Sequence, residues 1–492
     1  MDSITSILLL LLLTCIVTQY LRSLHARSKK SNYKLPPGPS FLTIIRNLPQ
    51  LSKKPQLTLA NFAKLHGPIM RFKLGQVTTI VISSPNMAKE VLQTHDLLFS
   101  NRTVPQGATV HNHDHYSLAF LPISPLWRDL RKIFNNQMFS NKVLDSSQDL
   151  RCKKVQELIS DVHESSLVGE TIDIGKAGFK TFINLLSNTF FSKDSVHSAD
   201  ETEEYKDIVL NLAKAIGTPD LVDFFPMLKV VDPQGVRRRS SAYVVKLFII
   251  LDRLIDERLK LRERKNYVMK NDMLDTLLNV FQENSQKIDR DMIKHLFIDL
   301  VVAATDTTSY AFERAMNELL HNPDAMSKAK KELEQTIGIG NPIEESHIPK
   351  LPYLQAIIKE TLRLHPPAPF LLPRKAKTNV EISGLIIPEG AQILINEWAI
   401  GRNSSIWNDP NSFLPERFLL LEIDFKGRNF QFTPFGGGRR MCPGMSLATR
   451  MMHMMLGSLI NSFDWKFENG MKPEDMDKDQ PLRAMAEIRI NS

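Results

Sequence analysis

The chain has 492 residues, 42% of them hydrophobic, and its formal net charge is +8. Its three cysteines, Cys15, Cys152 and Cys442, exclude a disulfide framework and fit a reducing compartment. The positive charge does not indicate nucleic-acid binding, because no DNA-binding motif or aromatic-interleaved basic patch accompanies it. No glycine- or serine-rich linker or repeat divides the chain, so we expect one large domain with a substantial core.

The amino-terminal segment predicts an uncleaved membrane anchor. Ile4 to Tyr20 is an apolar run close to the about 17–25 residues that span a bilayer. Asp2 is its only early charge and no small-residue cleavage site follows, which argues against a secretory signal. The basic residues that follow favour a cytosolic flank and contact with anionic lipid. We predict an anchor at 1–21, a basic and proline-rich linker at 22–39 and the large domain at 40–492.

The body is predicted to be mainly α-helical with a small β portion. β-branched residues between Phe72 and Ser84 indicate strands. The stretch from Trp127 to His321 is mostly patterned as helix, and its clearest element begins at Asp289, a plausible N-cap. A further helix is expected from Pro352 to Leu364, with short strands near 380–387 and 393–396 after it.

Four polar residues, Thr305 to Thr308, interrupt the apolar helix that begins at Asp289. A buried Asp is costly unless it is paired, and Thr is a mediocre helix former. One interpretation is that these side chains bond their own helix backbone. The other, which we favour, is that Asp306 and Thr307 deliver protons to a reaction.

Three histidines alternate at His111, His113 and His115. On a strand this spacing would align three imidazoles as metal ligands. The intervening Asn112 and Asp114 indicate a loop instead, so we do not expect a metal site here.

The stretch from Phe435 to Gly444 follows the pattern F-x-x-G-x-R-x-C-x-G around Cys442. Gly438 and Gly444 can adopt backbone angles closed to other residues, so the loop can fold tightly around the sulfur. Backbone N–H groups can then stabilise the thiolate, the form that binds metal. A phosphate-binding loop would need Lys-Ser or Lys-Thr after the glycines, and Arg-Arg follows here. We therefore interpret Cys442 as the axial ligand of a haem iron, shielded from water by Phe435.

Four motifs in this order resemble those of the cytochrome P450 family. They are the polar helix segment 303–308, the E-x-x-R motif at 359–363, the P-E-R-F motif at 415–418 and the cysteine loop at 435–444. The resemblance runs from the anchor nearly to the carboxyl end. Short stretches at 222–226, 231–235 and 462–466 are similar to plant microsomal terpenoid hydroxylases of the geraniol 8-hydroxylase type.

The resemblance implies a haem-thiolate monooxygenase with the cytochrome P450 fold, anchored by one helix in the endoplasmic reticulum membrane with a cytosolic catalytic domain. Its cofactor would be haem b, whose thiolate ligand favours O–O cleavage, as in cytochromes P450. Electrons would come from NADPH through NADPH–cytochrome P450 reductase, and one oxygen atom would enter an apolar substrate, a terpenoid. Two alternatives stay open: a haem-thiolate isomerase or dehydratase, and a catalytically impaired haem protein.

The resemblance also implies roles for single residues. Thr307 would order water at the oxygen site and Asp306 would relay protons. A buried ionic network that supports the haem pocket would be formed by Glu360, Arg363 and Arg417. The remaining haem contacts would be Trp127, Arg131, Arg374 and Arg440, of which the arginines meet the propionates.

Two departures from the family pattern bear on activity. Ala304 stands where the family usually has glycine, which places a methyl group near the oxygen site. Near the carboxyl end, only Lys478 and Asp479 fill a gap where relatives carry a hairpin that reaches over the substrate. We expect a more open pocket, with low affinity, relaxed regioselectivity or no turnover.

Overall fold

The structure is a computed structural model that describes residues 34–270, 272–283, 289–468 and 480–489. The predicted anchor, most of the linker, and Lys478 and Asp479 lie outside these ranges. Within them, no helix combines the length and the apolar character that a membrane span requires. The described end of the linker lies along the sheets, because the Arg71 N–H donates to the Pro37 carbonyl and the Ile386 N–H donates to the Lys34 carbonyl.

Helices dominate the described residues, which confirms the predicted fold class. The α-helices are α1 (Phe41–Arg46), α2 (Leu48–Lys53), α3 (Pro55–His66), α4 (Pro85–Lys89), α5 (Pro125–Phe134), α6 (Asn141–Ser146), α7 (Gln148–Leu167), α8 (Ile174–Phe191), α9 (Ala199–Gly217), α10 (Leu221–Phe224), α11 (Val236–Arg262), α12 (Met273–Glu283), α13 (Arg290–His321), α14 (Pro323–Thr336), α15 (Pro352–Leu364), α16 (Glu397–Ile400), α17 (Arg417–Leu420) and α18 (Met445–Ser462). Short 3-10 segments lie at Gln106–Ala108, Val110–His115, Pro226–Val230, Glu345–Lys350 and Gly438–Arg440, and π-helical turns at Glu90–Thr94 and Asn135–Phe139.

The strands form three small sheets in the described residues. They are β1 (Ile69–Leu74), β2 (Val77–Ile82), β3 (Asn101–Arg102), β4 (Ile172–Asp173), β5 (Arg374–Lys375), β6 (Val380–Ile382), β7 (Leu385–Ile387), β8 (Gln392–Ile395), β9 (Phe463–Phe467) and β10 (Arg483–Ile488). The largest sheet has the order β1-β2-β8-β5-β3, with β1 antiparallel and β8 parallel to β2. The other sheets are β4-β10-β9 and the β6–β7 hairpin. The strands predicted near residues 72–84, 380–387 and 393–396 are therefore confirmed.

Helix α13 is the central element of the core. Its predicted N-cap is confirmed, because the Asp289 carboxylate accepts a hydrogen bond from the Met292 N–H at 2.6 Å. Buried apolar residues lie on several sides of the helix and it packs against α8, α9, α15 and α18. A helix enclosed in this way is held by tertiary packing along much of its length, which makes it a rigid support for side chains that face a site.

A buried ionic network lies between α15 and the chain that precedes the cysteine loop. Both side chains of the Glu360–Arg363 pair are fully buried, and the arginine meets the carboxylate through two hydrogen bonds of 2.7 Å. Arg417 Nε donates to the same carboxylate at 3.0 Å. Arg363 also donates to the carbonyls of Gly401 and Pro410. The network therefore fixes an irregular segment onto a helix.

We predict that Glu360→Ala lowers the free energy of unfolding by about 3–5 kcal/mol, because it leaves two buried guanidinium groups without their carboxylate. Chemical denaturation measures this loss. The control is Glu487→Ala, which removes an ion pair with Lys466 whose side chains are 60% and 63% exposed. Such an exposed pair contributes about 1 kcal/mol or less. Equal losses in the two variants would contradict this prediction.

Candidate active site

The Cys442 loop is a tight connection between the Gly438–Arg440 turn and helix α18. The Cys442 N–H donates to the Phe435 carbonyl at 3.0 Å. Gly438 has a φ of +66°, and a Cβ there would lie 2.2 Å from the Leu92 carbonyl oxygen, so only glycine fits. The expectation of special backbone angles at Gly444 is wrong: its φ is −82°, because the chain there already enters α18.

Cys442 is exposed, although the surrounding protein atoms desolvate its thiol. Desolvation is the largest influence and raises the pKa of the thiol. Backbone N–H groups of Gly444 and Met445 and the charge of Arg131 act in the opposite direction. The loop thus offers the sulfur partial stabilisation as a thiolate, and a bound metal cation would supply the rest.

Phe435 and Arg131 both adjoin the cysteine loop. The Phe435 ring is half-buried and packs edge-on against Phe425, with 5.5 Å between centroids. Arg131 on α5 donates from Nη2 to the Met441 carbonyl at 2.6 Å, which places the guanidinium beside the residue before Cys442. Burial lowers the pKa of Arg131, and the charge of Cys442 raises it.

Arg440 connects the cysteine loop to the segment before α5. Its guanidinium donates to the carbonyls of Ser100 at 3.0 Å, Leu118 at 3.2 Å and Leu121. It also lies over the Trp127 ring, 4.7 Å from the centroid. The Trp127 indole N–H donates to the same Leu118 carbonyl at 3.0 Å. Two of the predicted haem-contact residues therefore stack on each other and share one backbone acceptor.

Arg374 reaches the other side of the loop. It donates to the Gly437 carbonyl at 2.9 Å and to the Asp96 carboxylate at 3.1 Å. Asp96 also accepts hydrogen bonds from the backbone and side chain of Arg439. Asp96 was not predicted from the sequence, because a single acidic residue between a π-helical turn and a strand carries no motif signal.

The buried arginines around the loop carry an excess of positive charge. Arg102, also missed, has a buried Nε without a hydrogen-bond partner. Burial and, to a lesser extent, the charges of Arg374 and Arg131 together lower the pKa of Arg440 to about 10. Asp96 is the carboxylate that offsets Arg102, Arg374 and Arg440. A cofactor with carboxylates of its own fits this cluster, and haem has two propionates as well as an iron for Cys442.

Asp306 and Thr307 differ in their surroundings on α13. The Thr307 hydroxyl donates to the Ala303 carbonyl at 2.7 Å, as the own-helix interpretation requires, and its lone pairs stay available. The half-buried Asp306 carboxylate has no hydrogen-bond partner among the described residues. Desolvation raises the pKa of Asp306, and the charge of Lys206 lowers it. Ala304 is half-buried and packs against the hydrophobic core.

The three alternating histidines do not lie on a strand. They belong to the Val110–His115 turn, where His113 Nδ1 lies 2.9 Å from Nδ1 of His295 on α13. No group of three potential metal ligands occurs in the part of the chain that the structure describes.

Comparison with known proteins gives consistent matches along the chain. The family model described as Cytochrome P450 matches residues 36–490. The chain is 49% identical over 496 residues to geraniol 8-hydroxylase of Catharanthus roseus, covering 99% of each protein. It is 49% identical over 481 residues to geraniol 8-hydroxylase of Swertia mussotii, covering 96% of each. It is also 45% identical over 466 residues to a geranylhydroquinone 3''-hydroxylase of Arnebia euchroma, covering 94% of each.

We predict that Gly438→Ala destabilises the protein more than Gly390→Ala. Both glycines have positive φ values, +66° and +75°, so each substitution adds backbone strain of about 1–2 kcal/mol. At Gly438 the new methyl group also overlaps the Leu92 carbonyl, whereas nothing lies within 4 Å at Gly390. Urea unfolding midpoints compare the variants. If Gly438→Ala loses no more stability than Gly390→Ala, the cysteine loop can shift to accommodate the methyl group and the prediction is wrong.

Proposed function

Because the chain belongs to the cytochrome P450 family and is a monooxygenase of that family, we propose that it hydroxylates a terpenoid. Its electrons come from NADPH through NADPH–cytochrome P450 reductase. Two of the similar proteins are named for geraniol and a third for geranylhydroquinone. A geranyl chain is common to these names, so the proposed substrate is apolar and isoprenoid. The observation that carries the proposal is the accessible Cys442 thiol beside a cluster of buried arginines with excess positive charge.

Cys442 is the proposed axial ligand of haem b, which when bound supplies the dioxygen chemistry. Its carboxylates are bound by Arg131, Arg374 and Arg440, and Trp127 packs against the Arg440 guanidinium. These assignments are supported by hydrogen bonds that orient Arg131 and Arg374 at carbonyls of the cysteine loop and Arg440, itself in that loop, at the Leu118 carbonyl. A planar guanidinium meets a carboxylate through two hydrogen bonds, which suits this role.

Asp306 and Thr307 are the proposed route for protons. A carboxyl group with a raised pKa and no hydrogen-bond partner among the described residues can take up and release a proton. The adjacent Thr307 hydroxyl donates to its own helix and can hold a water molecule through its lone pairs. An isomerase or dehydratase that uses neither oxygen nor NADPH would not need such a route, so the pair favours the monooxygenase.

The proposal includes a single-pass anchor in the endoplasmic reticulum membrane, with the catalytic domain in the cytosol. It rests on the apolar run from Ile4 to Tyr20 and on the basic residues that follow it. The predicted anchor at 1–21 lies outside the described residues. The same holds for the shortened tail around Lys478 and Asp479.

We predict that the purified protein, with reductase, oxygen and NADPH, converts at least one member of a panel of mono-, sesqui- and diterpenoids that includes geraniol. Cys442→Ala abolishes both turnover and the thiolate-type absorption band of the reduced, carbon-monoxide-bound protein, because it removes the sulfur of the loop. The control Cys152→Ala, on α7, retains both. Product formed without NADPH would favour an isomerase, and a band that survives in Cys442→Ala would refute the ligand assignment.

Thr307→Ala is expected to leave haem binding intact and to lower the amount of product formed per NADPH consumed. Positioned proton transfer contributes about 10²–10⁴-fold to such steps, so we expect at least a several-fold lower ratio. Ser309→Ala is the matched control, because its hydroxyl also bonds the helix backbone, at 2.7 Å from the Thr305 carbonyl. If both variants keep the wild-type ratio of product to NADPH, the Thr307 hydroxyl has only a structural role, as a donor to the backbone of its own helix.

A further inference from the structure

The carboxylate of Asp299 on α13 binds the loop that follows the Val110–His115 turn. Oδ2 accepts a hydrogen bond from the Leu118 N–H at 2.6 Å, and Oδ1 accepts one from the Ser117 hydroxyl at 2.7 Å. His113 Nε2 lies 3.1 Å from Oδ1. The Asp299 side chain is 13% exposed, so these contacts are largely shielded from water. One carboxylate thus holds three donors from a single short segment of irregular chain.

The backbone of Leu118 continues this contact to the cofactor side of the site. Its N–H points to Asp299, and its carbonyl accepts hydrogen bonds from the Trp127 indole at 3.0 Å and from Arg440 Nη1 at 3.2 Å. The Leu118 N–H and the Leu118 carbonyl belong to successive peptide groups that meet at the Leu118 Cα, so a carboxylate that fixes the N–H also restricts where the carbonyl can lie. Asp299 and Arg440 are therefore connected through the backbone of one residue.

A second residue of α13 fixes the same loop. His295 lies one helical turn before Asp299, and its Nδ1 is 2.9 Å from Nδ1 of His113. Burial lowers the pKa of His295 to about 4, so the ring is neutral near pH 7, and it stacks on Tyr116 with 4.9 Å between centroids. His113 is held between the two α13 side chains, which leaves the loop little freedom to move away from Asp299.

We propose that Asp299 is a positioning residue for the cofactor: by holding the backbone of Leu118, it sets where Arg440 and Trp127 lie beside the Cys442 loop. The proposal rests on the proposed function, in which Arg440 binds a haem carboxylate. Asp299 itself touches neither the cysteine loop nor its arginines. Asp299 acts through the backbone of Leu118. Helix α13, which also carries Asp306 and Thr307, is thereby connected to the side of the site that binds the carboxylates.

The test compares Asp299→Ala and Asp299→Asn with wild type as holoproteins, by hydrogen exchange at the Leu118 amide and by the reduction potential of the haem. In Asp299→Ala we expect hydrogen exchange at the Leu118 amide to be faster by about tenfold or more, because one charge-assisted hydrogen bond is lost. We also expect the potential to shift, because Arg440 loses its fixed position. Asp299→Asn keeps an acceptor oxygen for the Leu118 N–H and should restore part of both properties.

Asp272→Ala is the control for a merely structural effect. Asp272 is another buried carboxylate, 3% exposed, which binds Arg258 and the Ser192 hydroxyl away from this loop. Asp272→Ala should lower the free energy of unfolding without changing hydrogen exchange at the Leu118 amide or the reduction potential of the haem. If Asp299→Ala behaves in the same way, the proposal is overturned. A wild-type protein without the thiolate-type band would instead refute the proposed function, while exchange at Leu118 would still decide whether Asp299 holds the peptide.

Discussion

Buried guanidinium groups that bind backbone carbonyls hold the irregular half of this molecule together. Arg363 binds carbonyls between residues 401 and 412, and Arg440 binds carbonyls between residues 100 and 121. Carbonyl groups in irregular chain have no helix or sheet partner, and each one left unpaired in the interior is costly. Arginine has five donors in a fixed fork, so one side chain satisfies several carbonyls and fixes the segments that carry them.

The same arrangement explains how the candidate site combines rigidity with charge. The arginines near Cys442 use part of their donors on backbone carbonyls and keep a positive charge that Asp96 only partly offsets. Hydrogen bonds to carbonyls orient a guanidinium without neutralising it. The site is thus prepared for an anionic ligand before that ligand arrives, and Asp299 extends this preparation to helix α13 through the backbone of Leu118.

The regular elements and the motif residues could be predicted from the sequence, but the long-range contacts between them could not. The bounds of α15 and the N-cap at Asp289 are as predicted, because prolines, capping residues and helical spacing are local signals. The relation to the cytochrome P450 family was confirmed over residues 36–490. Asp96 was missed, because its partner Arg374 lies 278 residues away and Asp96 itself shows neither periodicity nor a motif. Asp299 was missed for the same reason, with partners 181 and 182 residues distant.

The parallel pairing of β2 with β8 has a consequence for synthesis on the ribosome. Thr79 pairs with Gln392, 313 residues later in the chain. At about 5–20 residues per second, translation needs roughly 15–60 s to deliver this partner strand. During that interval one edge of the β2 segment, which is rich in β-branched residues, has no native strand beside it. The nascent chain must therefore be protected from pairing with other chains, and cellular yield will depend on chaperone capacity as much as on the stability of the finished fold.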